Sequence, residues 1–221
     1  MTKPNSITVA TNLLAAIATW AYTDNSHPKN IHAVAFRADG TIMATDGSRC
    51  VVVPHETHGL AFGVARPHLL AAVAAQNALA RDGVDPPIDH DLVVSPLGDA
   101  ELTDGPYGSR TIELRPNGKH VTINIGLIVI TVPRVNVDIY PTTDQIFTGN
   151  NKGSPDGYLI DARYLTAIET INTATAGYRH GVRVTHWGSI DKAGKRSALV
   201  LEGATGVKFA IMPHVDKGGA S

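Results

Sequence analysis

The chain has 221 residues, enough to bury one full core or two small ones. At 43% hydrophobic and 18% charged residues it has an ordinary globular composition, which excludes a disordered or fibrous chain. The formal net charge of −1 removes any overall attraction for nucleic acid, although a ring that is acidic outside and basic inside would still satisfy it.

Along the chain, periodicity predicts a helix-plus-strands unit that recurs. The first helix is expected over Thr11–Thr23, with Leu13, Ile17 and Trp20 on one stripe and Thr11 or Asn12 as cap. Strands follow at Ile31–Phe36 and Thr41–Ala44, joined by the two-residue turn signal Asp39-Gly40, and then at Cys50–Val53. A second unit opens with a strand at Phe62–Val64 and a helix over Pro67–Ala80 with proline in its first turn. Its strands are expected at Leu92–Ser95, Thr111–Leu114, His120–Ile125 and Leu127–Val132, with Asn117-Gly118 as a hairpin turn. Residues 82–91 and 98–109 read as loops.

Residues 148–157, Thr-Gly-Asn-Asn-Lys-Gly-Ser-Pro-Asp-Gly, read as a linker. The unit then recurs: a strand at Tyr158–Ile160, a helix capped by Asp161 and bearing Leu165, Ile168 and Ile171, and strands at Val182–His186, Ala198–Leu201 and Val207–Met212. Gly203-Ala204-Thr205-Gly206 lies between strands and reads as a hairpin, too short for a phosphate loop.

One cysteine, Cys50, rules out an internal disulfide and fits a reducing compartment. No apolar run approaches the roughly 20 residues that cross a bilayer. Met1-Thr2-Lys3-Pro4-Asn5 lacks a signal-peptide layout, so a cytoplasmic location is expected.

Four pieces carry a family resemblance: Ile31–Phe36 with Ala44-Thr45-Asp46-Gly47-Ser48-Arg49, then Tyr140-Pro141 with Gln145-Ile146, then Tyr158–Asn172, then Ala210-Ile211-Met212-Pro213. In type and order they resemble the bacterial DNA polymerase III beta sliding clamp. The resemblance implies an α+β fold of DNA-clamp-like repeats, each a helix packed on antiparallel strands, about one and a half clamp domains in all. Residues 1–147 would form a complete clamp-like domain, 148–157 a linker, and 158–221 a half-domain and tail. The clamp's first domain and one unit of its last are absent, and His214 and Val215 depart from the family pattern after the Met-Pro pair. A half-domain is expected to leave a sheet edge and an apolar helix face unpartnered.

The implied function is a DNA replication processivity factor, not an enzyme, that tethers polymerase or repair proteins through short peptide motifs. Its pocket would comprise Ile31, Thr45, Gly47, Ser48, Arg49, Cys50, Pro141, Gln145, Ile146, Met212 and Pro213. Ile31, Ile146 and Met212 suit an apolar floor, Gly47 admits close approach, and Thr45, Arg49 and Gln145 offer hydrogen bonds. Arg66, Arg81, Arg163 and Arg179 are the residues that would face double-stranded DNA inside a ring, making few phosphate contacts that weaken as salt rises. Rings of that family hold six domains, so one and a half per chain implies a homo-oligomer of four chains, half-domains completing each other in pairs.

Plainer readings stand beside these. Thr45-Asp46-Gly47 alone is an ordinary turn, and Met-Pro an ordinary strand end. His55-Glu56-Thr57-His58 has its histidines three apart in a loop, unlike a helical zinc site, so surface histidines and no metal or cofactor are expected. Cys50 reads as a packed strand residue. Two alternatives remain: a non-encircling clamp-like protein that binds or competes for partner peptides, and a small α+β enzyme or ligand-binding protein with only architectural similarity.

Overall fold

The computed structural model describes residues 5–24, 30–81, 110–141, 146–147, 160–177, 181–189 and 197–212. The strand expected at 92–95, the loops of 82–91 and 98–109, the linker and the terminal tail lie outside these residues.

The elements run β1 (Ile7–Ala10), α1 (Thr11–Ala18), β2 (Ala33–Arg37), β3 (Thr41–Thr45), β4 (Arg49–Pro54), β5 (Phe62–Ala65) and α2 (Arg66–Arg81). They continue with β6 (Thr111–Asn117), β7 (His120–Ile125), β8 (Ile128–Pro133), α3 (Ala162–Ala176), β9 (Arg183–Ser189), β10 (Ser197–Glu202) and β11 (Lys208–Ile211). Antiparallel pairing makes a four-stranded sheet, β1-β6-β7-β8, and a seven-stranded sheet, β5-β2-β3-β4-β11-β10-β9.

Two first strands are exchanged. β1 leads into α1 yet pairs with β6, and β5 leads into α2 yet pairs with β2. The half-domain is not isolated either: β11 adds to β4, Phe209 opposite Val51 and Ala210 opposite Cys50. That pairing occupies one edge of the half-domain's strands and, among the described residues, leaves β9 as the outer strand at that end of the sheet, with β5 at the other.

One core lies between sheets and helices, with α1 packed on both α2 and α3. Ile7, Leu14, Ile17, Trp20, Phe36, Phe62, Leu69, Ile112, Leu114 and Phe209 are fully buried. Each such side chain is worth roughly 1.5–3 kcal/mol of burial. Phe36 stacks on Phe62 across β2 and β5 at 4.7 Å, and Trp20 meets Phe209 at 5.6 Å.

Several local expectations are corrected. α1 ends at Ala18, because the Thr19, Trp20 and Ala21 amides bond three residues back and turn the chain so that Trp20 enters the core. Thr11 is inside the helix and its hydroxyl donates to the Arg110 carbonyl, while Asn12 accepts from the Leu13 amide. The β2–β3 loop holds three residues, Ala38-Asp39-Gly40, with Gly40 at φ +83°, the left-handed position such loops need. The β6–β7 turn is Gly118-Lys119. Asp161 caps α3 as expected, accepting from the Arg163 amide at 2.9 Å, and Ile168 and Ile171 are buried. Leu165 is instead 53% exposed.

Candidate peptide-binding site

The Thr45–Arg49 turn is built by its own polar groups. The Thr45 hydroxyl donates to the Arg49 carbonyl at 2.6 Å and accepts from the Gly47 amide at 3.1 Å. Asp46 Oδ1 accepts from the Ser48 and Arg49 amides, both at 2.9 Å. Gly47 has φ +91°, and a Cβ there would sit 3.8 Å from Cδ1 of the buried Ile31. Gly47 and Ser48 are exposed at the turn's crest.

The other half of the site arrives with β11. The Met212 amide donates to the Ser48 carbonyl at 2.7 Å, continuing the β4–β11 ladder past Ile211. On the sheet face away from the main core, Ala35, Met43, Cys50, Ala198 and Ala210 form a strip of mostly small buried residues crossing five strands. Val52, Val137, Tyr140, Ile146, Phe147 and Met212 lie partly buried along it. The sequence pattern placed Cys50 as a packed strand residue, and it is buried here, outside any disulfide.

Tyr140 pins the segment that borders the strip. Its hydroxyl donates to the Ala33 carbonyl at 3.0 Å, beyond the last paired residues of the β2–β3 ladder. Burial, reinforced by the neighbouring Cys50, pushes this phenol well above its ordinary range against a backbone hydrogen bond from Thr45. Pro141 follows directly and is half-buried.

Arg49 turns inward. Its Nε meets Asp46 Oδ2 at 2.9 Å, its Nη2 donates to the Thr19 carbonyl at 2.8 Å, and its guanidinium lies 4.8 Å from the Trp20 ring and 5.2 Å from the Tyr164 ring. It therefore bolts β4 to the end of α1 and to α3.

Of the expected pocket residues, the fold gathers Ile31, Thr45, Gly47, Ser48, Arg49, Cys50, Ile146 and Met212 around the β4–β11 junction. Gln145 and Pro213 lie outside the described residues. Sequence reading missed Ala35, Met43, Ala210 and Phe147. Strand alternation was the available signal, since Ile42 and Ala44 face the core and Met43 must face away.

Among the residues expected to face DNA, Arg66 donates from Nε to the Ala18 carbonyl at 3.1 Å, and the exposed Arg163 pairs with Asp161 at 2.6 Å. Arg81 ends α2, and Arg179 lies outside the described residues. His55 is half-buried rather than at the surface, its Nε2 lying 2.9 Å from the Thr8 carbonyl. No three potential ligands cluster for a metal ion among the described residues. No helix among them is long and apolar enough to cross a membrane.

A four-stranded and a seven-stranded sheet with exchanged first strands, the larger one continuous through the β4–β11 pairing and both packed under helices around one core, define a DNA-clamp architecture. No protein-family model and no curated protein matches the sequence. Solved structures do match. The DNA polymerase III beta subunit of Thermotoga maritima superposes with a TM-score of 0.54 at 14% identity, covering 94% of this chain and 64% of that one. The beta chain of Streptococcus pneumoniae gives 0.51 at 8% identity, covering 97% and 66%. The beta sliding clamp of C. crescentus gives 0.50 at 13%, covering 95% and 66%. The protein has the sliding-clamp fold, in the extent of about one and a half clamp domains, and spans about two thirds of the length of those chains.

Proposed function

We propose that the protein is a clamp-like tether in DNA replication, holding polymerase or repair factors by short peptide segments without covalent chemistry. The observation that carries the reading is the Met212–Ser48 hydrogen bond. It sets the methionine, the Gly47 crest and the small-residue strip side by side at one sheet junction. A strip of alanines with an adaptable methionine and a partly buried phenylalanine suits small hydrophobic anchors, and the exposed Gly47-Ser48 crest beside it leaves room for a glutamine. Arg49 acts here as a bolt holding the turn in shape.

A labelled peptide pairing a glutamine with small hydrophobic anchors should bind saturably in fluorescence anisotropy. Met212→Ala should weaken it at least about tenfold, or ~1.4 kcal/mol. Unchanged affinity in Met212→Ala combined with Gly47→Glu, in protein that melts normally, would sink the proposal.

Encirclement of double-stranded DNA by an assembled ring is the fuller form of this reading. Among the described residues the outer strands are β1 and β8 in one sheet and β5 and β9 in the other; neighbouring copies would dock at β8 and β9. Retention on closed circular DNA with release on linearisation tests it. A second reading, peptide capture without encirclement, is favoured by one observation. α1 carries no lysine or arginine, and Arg66 and Arg163 are already engaged within the chain.

A further inference from the structure

The registers of the two exchanged strands are equivalent. The residue before each helix meets the first residue of the strand after the other helix, Ala10 opposite Thr111 and Ala65 opposite Ala33. Core-facing pairs follow: Val9 with Ile112 and Ile7 with Leu114 in one case, Val64 with Val34 and Phe62 with Phe36 in the other, all 0% exposed. In both units the first two residues of the receiving strand pair only with the exchanged strand. The third, Glu113 or Ala35, is the first to pair with the next strand of its own sheet.

Among the described residues the third unit repeats this order with no strand paired to the outer edge of β9. In β9 the first residue to pair with β10 is Arg183, opposite Glu202. Gly181 and Val182 therefore occupy the two positions that in the other units hold an exchanged strand. Val184 is the counterpart of Phe36 and Leu114, faces the same side as its partner Leu201, and is 59% exposed. An apolar position buried twice within the chain is thus open the third time, on an edge strand that is a template for pairing.

We infer that two copies of the chain complete each other here by the same exchange about a two-fold axis. Ile160 and Asp161, which lead into α3 in each copy, add to the strand edge at the start of β9 in the other. The carried-over register sets Asp161 opposite the partner's Gly181 and Ile160 opposite the partner's Val182, next to the open Val184. The two contacts are identical, so the interface closes on itself at two chains. The inference rests on the clamp-like assembly proposed above and names its contact; peptide capture is a separate property.

The test uses the full chain. Light scattering over the micromolar range should give an even number of chains, and Val184→Glu should halve that mass without altering circular dichroism. Mild oxidation of the Ile160→Cys/Val182→Cys variant should yield a two-chain disulfide product. A one-chain mass throughout, a mass unmoved by Val184→Glu, or a disulfide closing within one chain would overturn the exchange. Peptide anisotropy on the same samples separates the two readings. A chain that captures peptide but never pairs overturns the exchange alone. A chain that pairs through this contact and captures nothing sustains the exchange and removes the capture.

Discussion

The Arg49 guanidinium lies 4.8 Å from the centre of the Trp20 ring, with Tyr164 at 5.2 Å and Asp46 paired to Nε at 2.9 Å. One side chain thereby couples the turn at the candidate site, the end of α1 and the start of α3. Its side chain is only 16% exposed, so the contacts are screened little by water.

Arg49→Ala should therefore cost about 2–4 kcal/mol, summing a charge-assisted hydrogen-bond pair and partly desolvated cation–π contacts. Arg49→Lys should recover less than half, because an ammonium cannot stack flat while holding Asp46 and the Thr19 carbonyl together. Urea unfolding of the three proteins checks both values.

Tyr140→Phe removes the hydroxyl that donates to the Ala33 carbonyl at 3.0 Å. It should lower stability by about 1–2 kcal/mol and loosen the packing of Tyr140 against the strip. The pH dependence has a definite sign. The folded phenol titrates above the unfolded one, so its contribution is full below about pH 10 and is lost as pH rises beyond that. Wild type should lose stability more steeply than Tyr140→Phe in alkaline unfolding titrations.

His55 behaves oppositely. Burial lowers its pKa from 6.5, outweighing the Thr8 carbonyl and Glu56, which raise it, while His58 lowers it further. The unfolded chain then binds the proton more readily. Stability from the neutral ring is present above about pH 6.5 and falls as pH drops toward the folded pKa. Melting curves from pH 7.5 to 5 should show this loss, and it should be reduced in His55→Asn.

Asn172, 1% exposed on α3, accepts from the Ala204 amide at 2.7 Å through Oδ1. It ties the helix to the β10–β11 hairpin, and a Cβ on Gly203 would strike that same amide group. Asn172→Ala should cost about 1–3 kcal/mol by leaving the buried amide unpaired. Gly203→Ala should destabilise as well, read by the same thermal melts.

The amino-acid sequence by itself determined the recurring helix-and-strand units and where the chain reverses between strands, though not the exact turn residues. It also determined the cap at Asp161 and the local shape of the Thr45–Arg49 turn. These depend on neighbours a few residues apart: apolar spacing, glycines where φ must be positive, a carboxylate two or three residues before the amides it accepts from. Tertiary structure alone decided the exchange of β1 and β5 between units, the joining of β11 to β4, and the inward course of Arg49 toward Trp20 and Tyr164. It also decided that Ala35, Met43, Cys50 and Ala210 align as one strip, and that Val184 stays open where Phe36 and Leu114 are closed. Strand pairing and burial are settled by whichever distant partner completes the sheet and covers its face, and a single sequence carries no local signal of which partner that is.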